Sequence, residues 1–152
     1  MKFLKAVRLD DSDARVFADE GGAAEDGEWV VAGGYAVCDL AAGHRRSPCH
    51  CDTSFIGVTS HCRCTIAEVA DIDGATYARL AEQLAHHFLN DLGAPSPEAA
   101  REAAEDECAY SAELAAGFPS EGWITVKREP TAEGLGERYS LFRRLMIGAH
   151  KL

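Results

Sequence analysis

The chain has 152 residues, of which 47% are hydrophobic and 26% charged, and it carries a formal net charge of −10 at pH 7. This composition is typical of one globular domain with its own core, and it is too apolar for a disordered chain. The negative charge disfavours binding to nucleic acids or anionic membranes, because both carry phosphate groups of the same sign. The chain shows neither an export signal nor an apolar run of membrane-spanning length, so we expect a single cytoplasmic domain over residues 1–152.

The first half of the chain predicts strands separated by polar loops. Strand patterns cover residues 2–9, 28–40, 54–58 and 61–72, and the last of these alternates well enough to predict one long strand. Between the strands we expect two loops. The first, residues 18–27, is glycine-rich and predicted to be a mobile surface loop, and the second, residues 41–53, is rich in Cys, His and Arg.

The second half changes to a helical period. Asp73 is placed to cap a helix over residues 74–92. Its apolar stripe consists of Tyr77, Leu80, Ala81, Leu84, Phe88 and Leu92. Ser96 followed by Pro97 begins a second helix that extends to about residue 116.

Two further strand patterns, residues 123–128 and 138–145, follow the helices and are joined by a glycine-rich turn. The resulting order is β-β-β-β-α-α-β-β. It lacks the strict alternation of a parallel doubly wound sheet. We therefore expect an α+β fold with an antiparallel or mixed sheet of five to six strands and two helices packed on one face.

Two Cys-x-Cys segments with neighbouring histidines are the most specific chemical feature of the sequence. Thiolates and imidazoles are suitable donors for zinc, so the candidate metal ligands are Cys49, Cys51, Cys62, Cys64, His50 and His61. In an extended strand, however, the two sulfurs lie about 6–7 Å apart, too far to share one tetrahedral ion. The alternative is that Cys62 and Cys64 are small core residues. We expect no cofactor, with zinc as the alternative.

Basic residues near the first cysteine pair allow two other interpretations. His44, Arg45 and Arg46 would lower the pKa of a neighbouring thiol and favour redox chemistry. Arg45 and Arg46, together with Arg63, are also candidates for binding a small anion. An enzyme acting on such an anion stays open as a third possibility. The sequence contains no P-loop, nucleophile elbow or dinucleotide-binding motif.

One face of the second predicted helix is acidic. Its carboxylates, which form either a solvated surface or a docking face for a basic protein partner, include Glu98, Glu102, Glu105 and Asp106. Because no catalytic motif is recognised, the leading interpretation is a non-enzymatic accessory protein that binds a protein partner. The alternative is a metal- or thiol-handling protein that uses Cys49, Cys51, Cys62 and Cys64.

Several segments resemble a bacterial family of short proteins of unknown function. They are MKFLKAVRLDDSDARVF, EWVVAGGYAV, SFIGVTSHCRCTIAEV and ERYSLFRRL. The resemblance covers nearly the whole chain and implies a stand-alone cytosolic domain. It also implies an association with gene clusters for molybdenum-dependent oxidoreductases, such as formate dehydrogenase, and so a role in their maturation or assembly. Arg63 fits the family pattern, whereas Cys62 and Cys64 depart from it.

Overall fold

The structure is a computed structural model that describes residues 1–38, 40 and 49–142. Its helices and strands, in chain order, are β1 (Lys2–Val7), α1 (Ser12–Val16), β2 (Trp29–Val31), β3 (Phe55–Gly57), β4 (Arg63–Cys64), β5 (Ile66–Asp71), α2 (Gly74–Asn90), α3 (Pro97–Ala116), β6 (Trp123–Thr131) and β7 (Gly134–Phe142). Short 3-10 turns occupy Ala18–Glu20 and Gly34–Ala36. Within the described part of the chain, no helix combines the length and the apolar character needed to cross a bilayer.

All seven strands form one sheet in the order β4-β3-β2-β1-β5-β6-β7, and each neighbouring pair is antiparallel. The central strand β1 places Leu4 opposite Val30 on β2 and opposite Val69 on β5. The expectation of five to six strands in an antiparallel or mixed sheet was therefore wrong in its strand count. Five strands precede the long helices rather than four.

The additional strand arises because residues 61–72 form two strands instead of one. At the break, Thr65 donates its amide and its hydroxyl hydrogen to the carboxylate of Asp13, at 3.3 and 2.8 Å. Asp13 lies on α1 and is only 7% exposed. Because Thr65 bonds to a side chain rather than to a neighbouring strand, the chain leaves the sheet edge at β4 and re-enters beside β1 as β5.

The two long helices follow the sequence pattern closely. The Asp73 carboxylate accepts the Thr76 N–H at 2.7 Å and caps α2, and the Ser96 hydroxyl caps α3 through the Ala99 N–H at 3.1 Å. The bounds predicted for α3 are confirmed, while α2 ends two residues before the predicted residue 92. Within the predicted α2 stripe, Leu80, Leu84 and Phe88 are buried, whereas Leu92 is exposed and lies beyond the end of the helix.

The buried apolar residues form two clusters. Phe3 and Leu4 are neighbours on β1 but belong to different clusters, so both faces of this strand are covered. The α2 stripe packs with Phe3, as do Ala100, Ala104 and Cys108 of α3. Ala115, near the end of α3, packs instead with Leu4. Because α3 contributes to both clusters, the description of two helices on a single face is also corrected.

The two predicted loops differ in how much of them the structure describes. Residues 18–27 include a 3-10 turn and the fully buried Ala24, whose N–H donates to the Arg63 carbonyl at 2.8 Å. The mobility expected of this segment stays a prediction. Of the Cys-, His- and Arg-rich segment 41–53, residues 41–48 lie outside the described part of the chain.

Candidate functional site

Three cysteine side chains meet beside the end of β2. The Sγ atoms of Cys38, Cys49 and Cys51 all lie within 4.8 Å of one another, and those of Cys38 and Cys49 are 3.8 Å apart. The Cys38 N–H also donates to the Cys51 sulfur at 3.4 Å. All six cysteines fall within the described residues, and none of them forms a disulfide. These three residues, which we term the thiol cluster, provide sulfur donors from two segments of the chain.

A tight bend after β2 directs the chain toward Cys38. Gly33 has a φ of +89°, a backbone conformation that L side chains rarely adopt, and a Cβ there would lie 2.9 Å from the Ile56 side chain. The Gly33 N–H donates to the Glu107 carboxylate on α3 at 2.7 Å. Burial raises the pKa of Glu107. The bend is therefore fixed to the helix, and the 3-10 turn that follows leads directly to Cys38.

A buried arginine holds the other side of the thiol cluster. Arg128 on β6 is 1% exposed, and its guanidinium donates to the carbonyls of Cys51, Ser54 and Ala32 at 2.9, 3.0 and 2.6 Å. Its Nε donates to the Glu137 carboxylate at 2.7 Å. Since Ala32 precedes Cys38 and Ser54 follows Cys51, one side chain joins both cysteine-bearing segments.

Arg128 and Cys38 were not among the candidate residues from sequence. A signal for the arginine exists, because alternation along β6 places Arg128 on the same face as Ile124 and Val126, both of which are buried. The signal for Cys38 is its position 11 residues before Cys49, just ahead of the Cys-rich segment 41–53. Neither signal identifies its partners, which come from other elements.

Burial controls the protonation of Cys51. Cys51 is fully buried, and burial raises the pKa of its thiol to about 12. This thiol therefore holds its proton at neutral pH unless a cation stabilises the thiolate. The Cys38 N–H donates to the Cys51 sulfur and favours the thiolate. This effect is weaker than that of burial, which favours the neutral thiol.

His50 is a predicted metal ligand, but in the structure it holds the segment Cys49–Cys51 in place. The Glu20 carboxylate accepts the His50 backbone N–H at 2.6 Å and contacts the ring Nδ1 at 2.7 Å. The ring also packs edge-on against Phe17. Burial acts to raise the pKa of Glu20, but the hydrogen bonds from His50 outweigh it and the net pKa is lowered.

A cavity of about 400 Å³ opens beside the thiol cluster, and both apolar and polar side chains line it. The polar and thiol side chains of this lining include Glu20, Cys38, Cys49, His61, Arg63 and His87. The Tyr35 hydroxyl, on a residue that also lines the cavity, is buried without a hydrogen-bond partner among the described residues, and burial raises its pKa. A buried unpaired hydroxyl costs about 1–3 kcal/mol, so a polar ligand in the cavity would relieve this cost.

The second predicted cysteine pair lies elsewhere. Cys64 is fully buried on β4, opposite Phe55 of β3, in the core cluster that contains Leu4. The Cys62 sulfhydryl donates to the Gly21 carbonyl at 3.3 Å and packs against the same cluster. Neither sulfur belongs to the thiol cluster. The structure thus brings Cys49 and Cys51 together with Cys38, not with Cys62 and Cys64.

The remaining candidates are dispersed. Arg63 lines the cavity and donates to the Ser54 hydroxyl at 2.8 Å, whereas Arg45 and Arg46 lie outside the described residues. The acidic residues Glu98, Glu102, Glu105 and Asp106 are all exposed on α3. Glu105 also lines a groove of about 780 Å³ between α2 and α3, whose walls include five alanines.

Fold and site together define an α+β protein in which a seven-stranded antiparallel sheet supports a thiol cluster beside a cavity. The chain belongs to a family of unknown function (DUF6505), whose family model matches residues 1–150. This confirms the expected membership in a family without an assigned function. The comparisons with curated proteins and with solved structures give no match.

Proposed function

We propose that this protein binds a thiophilic transition-metal ion, with zinc as the first candidate, through Cys38, Cys49 and Cys51. The observation that carries the proposal is the 3.8 Å distance between the sulfurs of Cys38 and Cys49. With Zn–S bonds of about 2.3 Å and tetrahedral angles, two thiolates on one zinc ion lie about 3.8 Å apart. The third sulfur, of Cys51, is within 4.8 Å of both.

The donor chemistry supports the same assignment. Thiolates select soft or borderline cations such as Zn²⁺ and Cu⁺ over Mg²⁺ and Ca²⁺. Hydrogen bonds to the ligands and fixed backbone are the usual supports of such sites, and here the Cys38 N–H and the Arg128 guanidinium supply them. The expectation of no cofactor rested on the strand geometry of Cys62 and Cys64, which do not take part in this cluster.

Substitution with Co²⁺ tests the proposal, because thiolate-to-cobalt charge-transfer absorption reports sulfur ligands specifically. We expect the reduced protein to bind one equivalent of Co²⁺ with this absorption and to exchange it for Zn²⁺. Cys49→Ser should weaken zinc binding at least about 100-fold, because it removes one of three ligands. This loss exceeds the 10- to 100-fold effects that supporting residues around a metal typically have.

Cys62→Ser is the matched control. Cys62 is half-buried, as Cys49 is, but lies outside the thiol cluster. Its substitution should leave both the absorption and the zinc affinity within about twofold of the parent. Absence of thiolate absorption in the Co²⁺-treated parent, or equal zinc affinity in parent and Cys49→Ser, would overturn the proposal.

Thiol–disulfide exchange is a second candidate, favoured by the same close approach of Cys38 and Cys49. Oxidised glutathione would take two electrons, release two glutathione thiols and leave a Cys38–Cys49 disulfide. A disulfide requires an S–S distance of about 2.05 Å, so the two sulfurs have to move together. Equilibration in glutathione buffers followed by mass spectrometry tests this candidate, and formation of the bond only at strongly oxidising ratios would exclude it.

A docking role for the acidic face of α3 stays a prediction. The exposure of its four carboxylates favours contact with a basic partner, since charge complementarity speeds and orients association. Assistance to a molybdenum-dependent oxidoreductase is the particular role that the resemblance implies. Metal binding at the thiol cluster is compatible with this role, because the role also concerns a metal-containing enzyme.

A further inference from the structure

We propose that His61 and His87 form a second metal site, an imidazole site for a divalent transition ion such as Ni²⁺ or Zn²⁺, with Asp91 orienting His87. The two histidines line the same cavity as Cys38 and Cys49. Donor atoms of His61, His87 and Asp91 all lie within 4.8 Å of one another. This site has different donors from the thiol cluster, and it does not depend on the function proposed above.

The pairing of His87 with Asp91 is the first support. They lie one helical turn apart at the end of α2, and Nδ1 of His87 is 2.8 Å from the Asp91 carboxylate. Because a carboxylate only accepts, Nδ1 carries the proton, and the lone pair is left on Nε2. Metal-binding histidines typically donate their second ring N–H to a carboxylate in this way, which fixes the tautomer and strengthens the ligand.

The position of His61 is the second support. It follows the turn between β3 and β4 and has a φ of +59°, in the left-handed region that favours glycine. The turn is held in place, because the Glu28 carboxylate accepts the Ser60 N–H at 2.7 Å and the Gly57 carbonyl accepts the His61 N–H at 3.1 Å. A bulky residue at a strained turn position is a common sign of a functional constraint.

The two rings stack at a centroid distance of 3.6 Å and an interplanar angle of 9°. The ring nitrogens of His61 have no hydrogen-bond partner in the described part of the chain, so they are available as metal ligands. Parallel rings direct their in-plane lone pairs side by side. To bind one ion, the exposed His61 ring has to rotate so that the two lone pairs converge.

Titration with Ni²⁺, on protein without a histidine tag, tests this site. We expect saturable binding that His61→Gly and His87→Gln each weaken at least about tenfold. Glycine suits the backbone conformation of residue 61, so loss of binding in that variant does not come from misfolding. Asp91→Asn, which keeps both ligands, should weaken binding about tenfold as well.

His86→Gln is the control, since His86 is exposed on the adjacent helix position and lies outside the donor group. It should bind Ni²⁺ within about twofold of the parent. The thiolate-to-cobalt absorption should persist in all four histidine and aspartate variants, which separates this site from the thiol cluster. The proposal is overturned if the parent shows no saturable Ni²⁺ binding, or if Cys49→Ser abolishes binding while His61→Gly and His87→Gln retain it.

Discussion

The segments Cys49–Cys51 and Cys62–Cys64 have the same Cys-x-Cys pattern and different environments. In the first, a hydrogen bond from the Thr53 N–H to the His50 carbonyl curls the backbone, and the sulfurs of both cysteines converge on Cys38. In the second, the chain enters strand β4, and Cys64 becomes part of the core.

The difference shows that spacing alone does not define a metal site. Cys49 and Cys51 gain a third thiol from Cys38 and a buried support from Arg128, and they lie beside a cavity. Cys64 gains apolar neighbours, and burial raises its pKa well above that of an ordinary thiol. The proposed metal site therefore rests on Cys49 and Cys51 with Cys38, whereas Cys64 fills space in the core.

Loss of Arg128 is expected to have the largest effect on the free energy of unfolding. It should act through the Cys49–Cys51 segment and leave Cys62–Cys64 unaffected. Arg128→Met removes the guanidinium donor from three buried carbonyls and from the Glu137 carboxylate, which should lower the free energy of unfolding by about 3–5 kcal/mol. Lys127→Met, which removes an exposed pair with Asp52, should cost less than about 1 kcal/mol. Chemical denaturation measures both, and equal effects would show that Arg128 does not support the thiol cluster.

The second largest effect is expected from acidification, which should weaken zinc binding at Cys49 and Cys51. Zinc binding must displace the proton of Cys51, whose pKa burial raises to about 12, so the apparent affinity falls as protons become more abundant. Each displaced proton contributes about tenfold, or 1.4 kcal/mol, per pH unit. Competition with a zinc indicator should therefore show at least a tenfold weaker affinity when the pH is lowered by about one unit near neutrality. An affinity independent of pH would contradict thiolate ligation.

Cys64→Ala tests the same comparison at the cysteine that lies in the core. Removing one buried sulfur should lower the free energy of unfolding of the metal-free protein by about 1 kcal/mol, as for loss of a single buried methyl group. Zinc affinity should stay within twofold of the parent. Cys49→Ala should show the reverse pattern, with little change in metal-free stability and a loss of zinc. Thermal unfolding and zinc competition measure both properties in the two variants. Equal changes in stability and in zinc affinity would contradict the distinction between the segments.

The acidic face of α3 should give the smallest effect on stability per substituted residue. Because Glu98, Glu102, Glu105 and Asp106 are exposed, reversing all four charges should change the free energy of unfolding by less than about 0.5 kcal/mol per residue. If a basic partner docks there, its capture should weaken with rising salt and disappear in the charge-reversed variant. Capture that persists in that variant would assign these residues to a solvated surface.

The sequence by itself determined the two long helices. Capping by Asp73 and Ser96 and the apolar period of α2 are local features, formed by residues within a few positions of one another. It also identified cysteines as candidate sulfur ligands and indicated the family. Both inferences need only residue types and the overall pattern, not tertiary contacts.

Tertiary structure alone decided the strand count and the membership of the thiol cluster. The strand break at Thr65 depends on Asp13, 52 positions away, and the cluster depends on Arg128, which reaches Ala32 across 96 positions. Such contacts leave no periodic trace, because each partner is selected by the path of the whole chain. Two identical Cys-x-Cys patterns therefore took different roles, one beside a cavity and the other inside the core.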